Sequence, residues 1–430
     1  MVSSVAMTAT DAHRTIDAVW RIESARLIAG LTRVVRDVGL AEELAQDALV
    51  RALEEWPRSG IPDNPGAWLM ATAKNRGIDH LRHERMRAAK HEALGHELEM
   101  EQHTNGARLE AKADDEIGDD LLRLIFIACH PLLSTEARTA LTLRLLAGLT
   151  TEEIARAFLV PEPTIAQRIV RAKRTLSDAH VPFEIPRGKE LAGRLSSVLE
   201  VIYLVFNEGY SATAGEDWMR PALCEEALRI GRILAELAPL EPEVHGLVAL
   251  MEIQASRIRA RTGPNGEPVL LMDQNRANWD RLLIHRGLLA LARGAALAET
   301  RGPYLLQAAI AACHARAPTP EDTDWVQITA LYDELARIAP SPVVELNRAV
   351  AVAMAYGPAA GLELANRLQA EGSLRSYHLL PSVRGDLLAR LGRYEEARGE
   401  FERAATLTQN ARESRLLLQR AAACKQGEMS

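Results

Sequence analysis

The chain has 430 residues, 47% apolar and 25% charged, with a formal net charge of −7. At about 150 residues per domain this leaves room for roughly three units, and the apolar content excludes wholesale disorder. The acidic balance excludes a general coat for nucleic acid, because non-specific affinity rests on cationic surplus.

Aromatic residues make up only 4%, while Ala, Leu, Arg and Glu prevail. These are helix formers, and apolar residues recur at spacings of three and four almost everywhere, so the chain reads as all-α. Cys129, Cys224, Cys313 and Cys424 stand far apart with no CxxC pair, which fits neither a disulfide framework nor a zinc ribbon. The first residues lack the basic region and apolar core of a signal peptide. Apolar stretches such as 199–206 and 349–356 are far shorter than the roughly 20 residues that cross a bilayer. The expected setting is the cytoplasm, with no membrane contact.

The first block, 12–91, begins with amphipathic helices. Leu40 to Ala52 forms one whose outer face carries Glu42, Glu43, Gln46 and Asp47. Pro57, Gly60, Pro62, Pro65 and Gly66 then break the pattern, since proline cannot continue a helix. A second helix follows over Trp68 to Arg82, with Asn75, Arg76, Asp79 and His80 along it. It runs into a basic stretch of Arg82, His83, Arg85 and Arg87. Residues 92–119 are polar and read as a flexible linker.

The second block, 120–180, holds the clearest local signal. Thr150 followed by Glu152 and Glu153 suits a helix N-terminus. Pro161 and Pro163 turn the chain, and Thr164 is placed to cap a second helix, Ile165 to Ser177. Ile165, Ile169, Ala172 and Leu176 form its apolar face; Gln167, Arg168, Arg171, Lys173 and Arg174 cover much of the rest. This is the layout of a helix-turn-helix, and Gln and Arg are the types that read adenine and guanine. An ordinary helical hairpin with a solvated charged face carries the same pattern.

The third block, 187–430, has a repetitive character. Leu388, Gly392, Tyr394, Ala397, Phe401, Ala404 and Ala405 follow the spacing of a tetratricopeptide helix pair, with weaker echoes at 222–238 and 346–368. Residues 263–268 read as a turn or short hairpin loop. Asp273, Gln274, Arg276, Trp279 and Asp280 form the most unusual polar-aromatic patch. It is either an exposed binding surface or a buried polar network that fixes helix packing.

Enzyme signals fail. His91 and His96 are five residues apart, which turns them off a common helix face, whereas a zinc protease needs a spacing of four. There is no P-loop, no GxGxxG and no GxSxG. The reading is of no catalytic residue, no metal and no cofactor.

The ordered pair of blocks resembles the extracytoplasmic-function sigma factors of bacterial RNA polymerase. The first block resembles sigma region 2, through the acidic helix and through Trp68, Asn75, Asp79 and Arg82 at the spacing W-L-x-x-I-A-x-N-x-x-x-D-x-x-R. The second resembles sigma region 4. The third is similar to the tetratricopeptide-like extension of one subgroup, group 42, through Tyr203 to Tyr210 and Asp273 to Asp280. The resemblance implies that Glu42, Glu43, Gln46 and Asp47 bind the β′ subunit of core polymerase, with β as a further partner. It implies that Trp68, Asn75, Arg76, Asp79, His80, Arg82, His83, Arg85 and Arg87 serve the −10 element. Thr164, Gln167, Arg168, Arg171, Lys173 and Arg174 would serve the −35 element. Extruding a promoter base costs a few kcal/mol, so a preformed pocket must offset it.

Two positions depart from the family pattern. Leu49 stands where many members have Phe, and the recognition helix opens with Glu162-Pro163-Thr164-Ile165-Ala166-Gln167-Arg168, not the usual G-T-V-K-S-R. Promoter preference therefore does not transfer. The extension is implied to be regulatory, through a protein partner or a ligand. The rival reading is a stand-alone helix-turn-helix activator with a helical-repeat sensor, against which the region-2-like block speaks.

Overall fold

The computed structural model describes residues 9–92 and 113–426, apart from Leu159, Thr213, Glu216 and Asn265. Residues 93–112 of the expected linker lie outside the described residues, as do the side chains of Arg85 and Arg87. Eighteen α-helices carry most of what is described, and only two two-residue strands accompany them. The all-α reading holds. Among the described residues, no helix is long and apolar enough to cross a membrane. The chain divides between Val201 and Ile202 into two compact units.

In the first unit, α1 (Ala9–Val35), α2 (Val38–Ser59) and α3 (Pro65–Glu92) pack on one another. Leu27, Ile28, Leu31, Leu44, Trp56 and Leu69 fill their core. Asp37 sits in extended backbone and accepts from the Leu40 amide at 2.8 Å, which starts α2. The sequence places a break at Pro57, yet α2 runs on to Ser59. Gly60, at φ 86°, ends it by donating to the Trp56 carbonyl. Asn64 then accepts from the Ala67 amide at 3.0 Å and opens α3.

Four more helices follow: α4 (Ala113–Ala128), α5 (Thr135–Leu145), α6 (Thr151–Phe158) and α7 (Glu162–Asp178). A reciprocal capping box starts α6: the Glu153 amide donates to Thr150 Oγ1 at 3.1 Å, and the Thr150 amide donates to Glu153 Oε2 at 2.8 Å. Thr164 does not cap α7. That helix begins three positions before Ile165, because Pro163 fits its first turn, where an amide donor is not needed. Early in α8 (Lys189–Tyr210), Arg194 and Ser197 donate to the carbonyls of Phe126 and Cys129 at 2.9 and 2.8 Å.

The second unit stacks helices on their sequence neighbours. They are α9 (Pro221–Leu237), α10 (Pro242–Ala255), α11 (Arg281–Leu297), α12 (Pro303–Arg316), α13 (Trp325–Ile338), α14 (Pro342–Tyr356), α15 (Pro358–Glu371), α16 (Leu379–Arg390), α17 (Tyr394–Leu407) and α18 (Ala411–Gln426). Proline opens α9, α10, α12, α14 and α15, so one local device sets much of the helix phasing. The expected turn at 263–268 is closed by a bridge between Thr262 and Pro268. β1 (Ala214–Gly215) and β2 (Gln409–Asn410) pair in parallel.

The repeat spacing near the C-terminus marks a real helix pair. Gly392, at φ 75°, follows α16, and Ala397, Phe401 and Ala404 are fully buried on α17. A Cβ on Gly385 would lie 2.9 Å from the Phe401 ring, so glycine sets how closely α16 and α17 approach. Phe401→Ala is expected to lower stability by about 3–5 kcal/mol, through lost burial and the cavity left behind. Urea unfolding of the second unit measures this.

His314 adds a pH dependence. It is buried edge-on to Trp325 at 5.1 Å, and burial, followed by the charges of Arg257 and Arg276, pushes its pKa down to about 3. The unfolded chain then binds this proton more readily than the native one does. Stability contributed by His314 is therefore present above about pH 6.5 and is lost as pH falls toward 3. His314→Gln is expected to flatten that part of the stability profile, as measured by denaturant midpoints across this range.

Candidate nucleic-acid and partner interface

Three surfaces meet in the first unit. The acidic face of α2 is split in two by its surroundings. Glu43 and Asp47 are exposed, whereas Glu42 is 2% exposed. Glu42 Oε1 accepts from Gln46 Nε2 and from Arg144 Nε of α5, each at 2.6 Å. Its second oxygen is ion-paired with Lys173 of α7. Asp47 pairs instead with Arg76 of α3.

Other polar contacts run along the same seam. Ser177 of α7 donates to Asp37 Oδ2 at 2.8 Å. Arg21 of α1 reaches Glu153 of α6 at 3.3 Å, and Arg33 reaches the buried Asp120 of α4 at 3.2 Å. The helix-turn-helix is thus laid against α1 and α2. Lys173, placed by sequence among the outward cations of α7, is instead half-buried over Glu42. Its position follows Ala172 and sits beside the apolar face, so its stem lies along the seam.

The remaining cations of α7 point away. Gln167, Arg171 and Arg174 are exposed, as is Thr164, and Arg168 is half-exposed. Arg174 has a loose pair with Asp178 at 3.5 Å. Opposite them, Ile165, Ile169, Ala172 and Leu176 are buried, as the periodicity predicts. The outer face of α7 can present donors to base edges or phosphates while its inner face stays packed.

On α3, Asn75, Arg76, Asp79, His80, Arg82 and His83 are all exposed. Asp79 and Arg82 lie 3.7 Å apart, and His83 Nδ1 is 2.9 Å from the Asp79 carbonyl. Trp68 is half-buried, edge-on to the fully buried Trp56 at 5.3 Å. That contact fixes the start of α3 and leaves the indole at the rim of its cationic face. The two helices that carry base and acid are held close by Gly77, whose Cβ would lie 3.2 Å from Leu44.

Residues 22–87 match sigma-70 region 2, and residues 123–176 match sigma-70 region 4. The chain is 31% identical over 144 residues to the ECF RNA polymerase sigma factor SigC of Mycobacterium tuberculosis (strain CDC 1551 / Oshkosh), covering 33% of this chain and 70% of that protein. The chain belongs to the extracytoplasmic-function sigma factors. It is also 26% identical over 171 residues to a probable ECF sigma factor, SigI, of the same organism, covering 39% of this chain and 57% of SigI. An uncharacterized protein of Rhizobium meliloti (strain 1021) is 46% identical over 389 residues, 90% of each chain. Residues 194–295 match a family of unknown function, DUF6596. This ECF sigma factor is thus a transcription initiation factor, of a family that works with core RNA polymerase on promoter DNA. The tetratricopeptide-like and group 42 expectations are not the names these matches give to its extension.

The extension patch needs a correction. Gln274, Arg276 and Trp279 are 6%, 5% and 3% exposed, so they present no surface. Arg276 donates to the carbonyls of His314 and Ala317 and to Thr323 Oγ1, at 2.7–2.9 Å. Asp280 caps α11 by accepting from the Leu282 and Leu283 amides at 2.9 and 3.1 Å. Of the five, Asp273 alone is exposed. The buried-network alternative describes this patch. Sequence reading missed Arg144 of the sigma factor altogether. An arginine set between Leu143 and Leu145 was the available signal, since a charge among buried apolar residues needs a partner.

Proposed function

We propose that this ECF sigma factor binds core RNA polymerase through the outer face of α2, including Glu42, Glu43, Gln46 and Asp47. It then directs the enzyme to promoters with α3 at the −10 element and α7 at the −35 element. The matched order of region 2 and region 4, with exposed cations on α3 and α7, carries this reading. The acidic balance of the chain fits it, because most affinity for DNA comes from the holoenzyme. The setting is the cytoplasm, where polymerase and promoter are.

Glu42 lies beneath Lys173 and Arg144 in this arrangement, so docking polymerase on α2 requires α7 to withdraw. The free chain is then a poor promoter binder, which a lone helix-turn-helix activator would not be. The extension modulates the output. In a gel shift, a promoter fragment is expected to move with core polymerase plus this chain and not with this chain alone. Strong specific binding without core polymerase overturns the sigma reading in favour of the activator. Ending the chain after Asp178 is expected to change run-off transcript levels; an unchanged level removes the regulatory role of the extension.

A further inference from the structure

Three guanidinium groups gather inside the second unit. Arg257, Arg261 and Arg276 are 9%, 8% and 5% exposed. None is ion-paired with a described carboxylate. Carboxylates stand farther off, Glu413 toward Arg261 and Glu321 and Asp322 toward Arg276. A buried guanidinium without a close counter-charge still costs several kcal/mol, so each group needs hydrogen-bonding compensation.

Two of them find it at helix ends. Arg261 Nη1 donates to the carbonyl of Tyr210, the last residue of α8, at 2.6 Å. Arg276 donates to His314 and Ala317 at the end of α12. Helix C-termini are the negative ends of their dipoles, so both sites suit a cation. Arg257 has no such acceptor. It follows the C-cap of α10, and its Nε is buried without a hydrogen bond. Two aromatic rings flank it: Tyr210 at 5.8 Å and Trp279 at 5.7 Å from its guanidinium carbon.

Cation–π contact holds a guanidinium in place but does not neutralise it. The same two rings also carry the other cations, since Arg261 lies 3.5 Å over Tyr210 and Arg276 lies 5.1 Å from Trp279. Like charges are thus brought together around shared rings. Neighbouring polar atoms are also left open: Nε1 of Trp218 and Trp279, Oε1 of Gln274 and Nδ1 of His314 are buried without partners.

We propose that the second unit binds a small oxyanion, a phosphate or carboxylate group, on the free donors of Arg257 between Tyr210 and Trp279. The planar fork of a guanidinium matches such a group in two parallel hydrogen bonds. The flanking rings orient that fork, and Arg261 and Arg276 add charge without spending further donors. Tyr210, Trp218, Arg257, Arg261, Arg276 and Trp279 all fall within residues 194–295, so the site assigns a ligand class to the domain of unknown function. The inference is independent of how the first unit meets polymerase.

The test uses the full chain at fixed ionic strength. Chloride is replaced stepwise by inorganic phosphate in one series and by citrate in another, and thermal midpoints are followed. Line broadening of the phosphate 31P signal gives a readout that does not depend on stability. A saturable rise is expected in at least one series, and the series that responds identifies phosphate or carboxylate as the group recognised. Arg257→Gln is expected to weaken that binding by about tenfold or more, as loss of charged hydrogen bonds does. Arg257→Lys keeps the charge, folds in the same setting and should bind with intermediate strength, because it loses the fork. No saturable response to either anion, or equal binding by wild type and the folded Arg257→Gln or Arg257→Lys chain, overturns the site.

Discussion

Lys173→Ala is expected to raise the affinity of the free chain for core polymerase by about tenfold. Glu42 is the reason. It is nearly fully buried and held by Gln46, Arg144 and Lys173. Removing one partner of a fully buried pair costs about 3–5 kcal/mol, because the other charge is stranded. Lys173 is 19% exposed and Arg144 remains, so about 1–2 kcal/mol is the fitting scale here. That loss falls on the closed arrangement alone, since an exposed Glu42 is solvated by water. Apparent affinity scales with the fraction of chains able to bind, so opening the seam strengthens binding. Titration of labelled polymerase in the absence of DNA measures it, and any role of Lys173 toward phosphates is not read. Ser177→Ala, which removes the bond to Asp37, should act in the same direction by a smaller factor. Unchanged or weaker binding by both folded variants would show that α7 and polymerase do not compete for α2.

How much of this was legible in the sequence follows from the range of each interaction. The helices were legible because their signals are local: apolar residues at three and four, the Thr150–Glu153 cap, and glycine or proline at the ends. The start of α7 was misplaced because proline reads as a break, although it is compatible with a first turn. Side-chain roles were less legible. Glu42 and Asp47 stand five positions apart, on different faces of α2, and one is buried while the other is exposed. The difference is made by Arg144, 102 positions away, and by Lys173. Likewise, both readings of the 273–280 patch stayed open until Arg276 found its carbonyls 38 and 41 residues downstream. A solvated charge and a buried, paired one have the same local pattern; only tertiary packing separates them.

Replacing both Arg168 and Arg171 by Ala is expected to lower promoter-dependent transcription by about a hundredfold while leaving polymerase binding unchanged. Both lie toward the solvent side of α7, and neither is ion-paired with a described residue. Their cost to the fold is therefore small, since the packing of α7 rests on Ile165, Ile169, Ala172 and Leu176. A bidentate base contact contributes about 1–3 kcal/mol of discrimination, and a phosphate contact adds about one to the salt slope. Run-off transcription at two salt concentrations separates the two roles. Loss that is uniform across promoters, with a shallower salt slope, assigns these arginines to phosphates. Loss confined to some −35 sequences assigns them to bases. Polymerase binding is the internal control, because α2 and α7 do different work once the seam is open. Full transcription by a folded double variant would leave α7 as a solvated charged helix, and promoter recognition would then have to rest on α3.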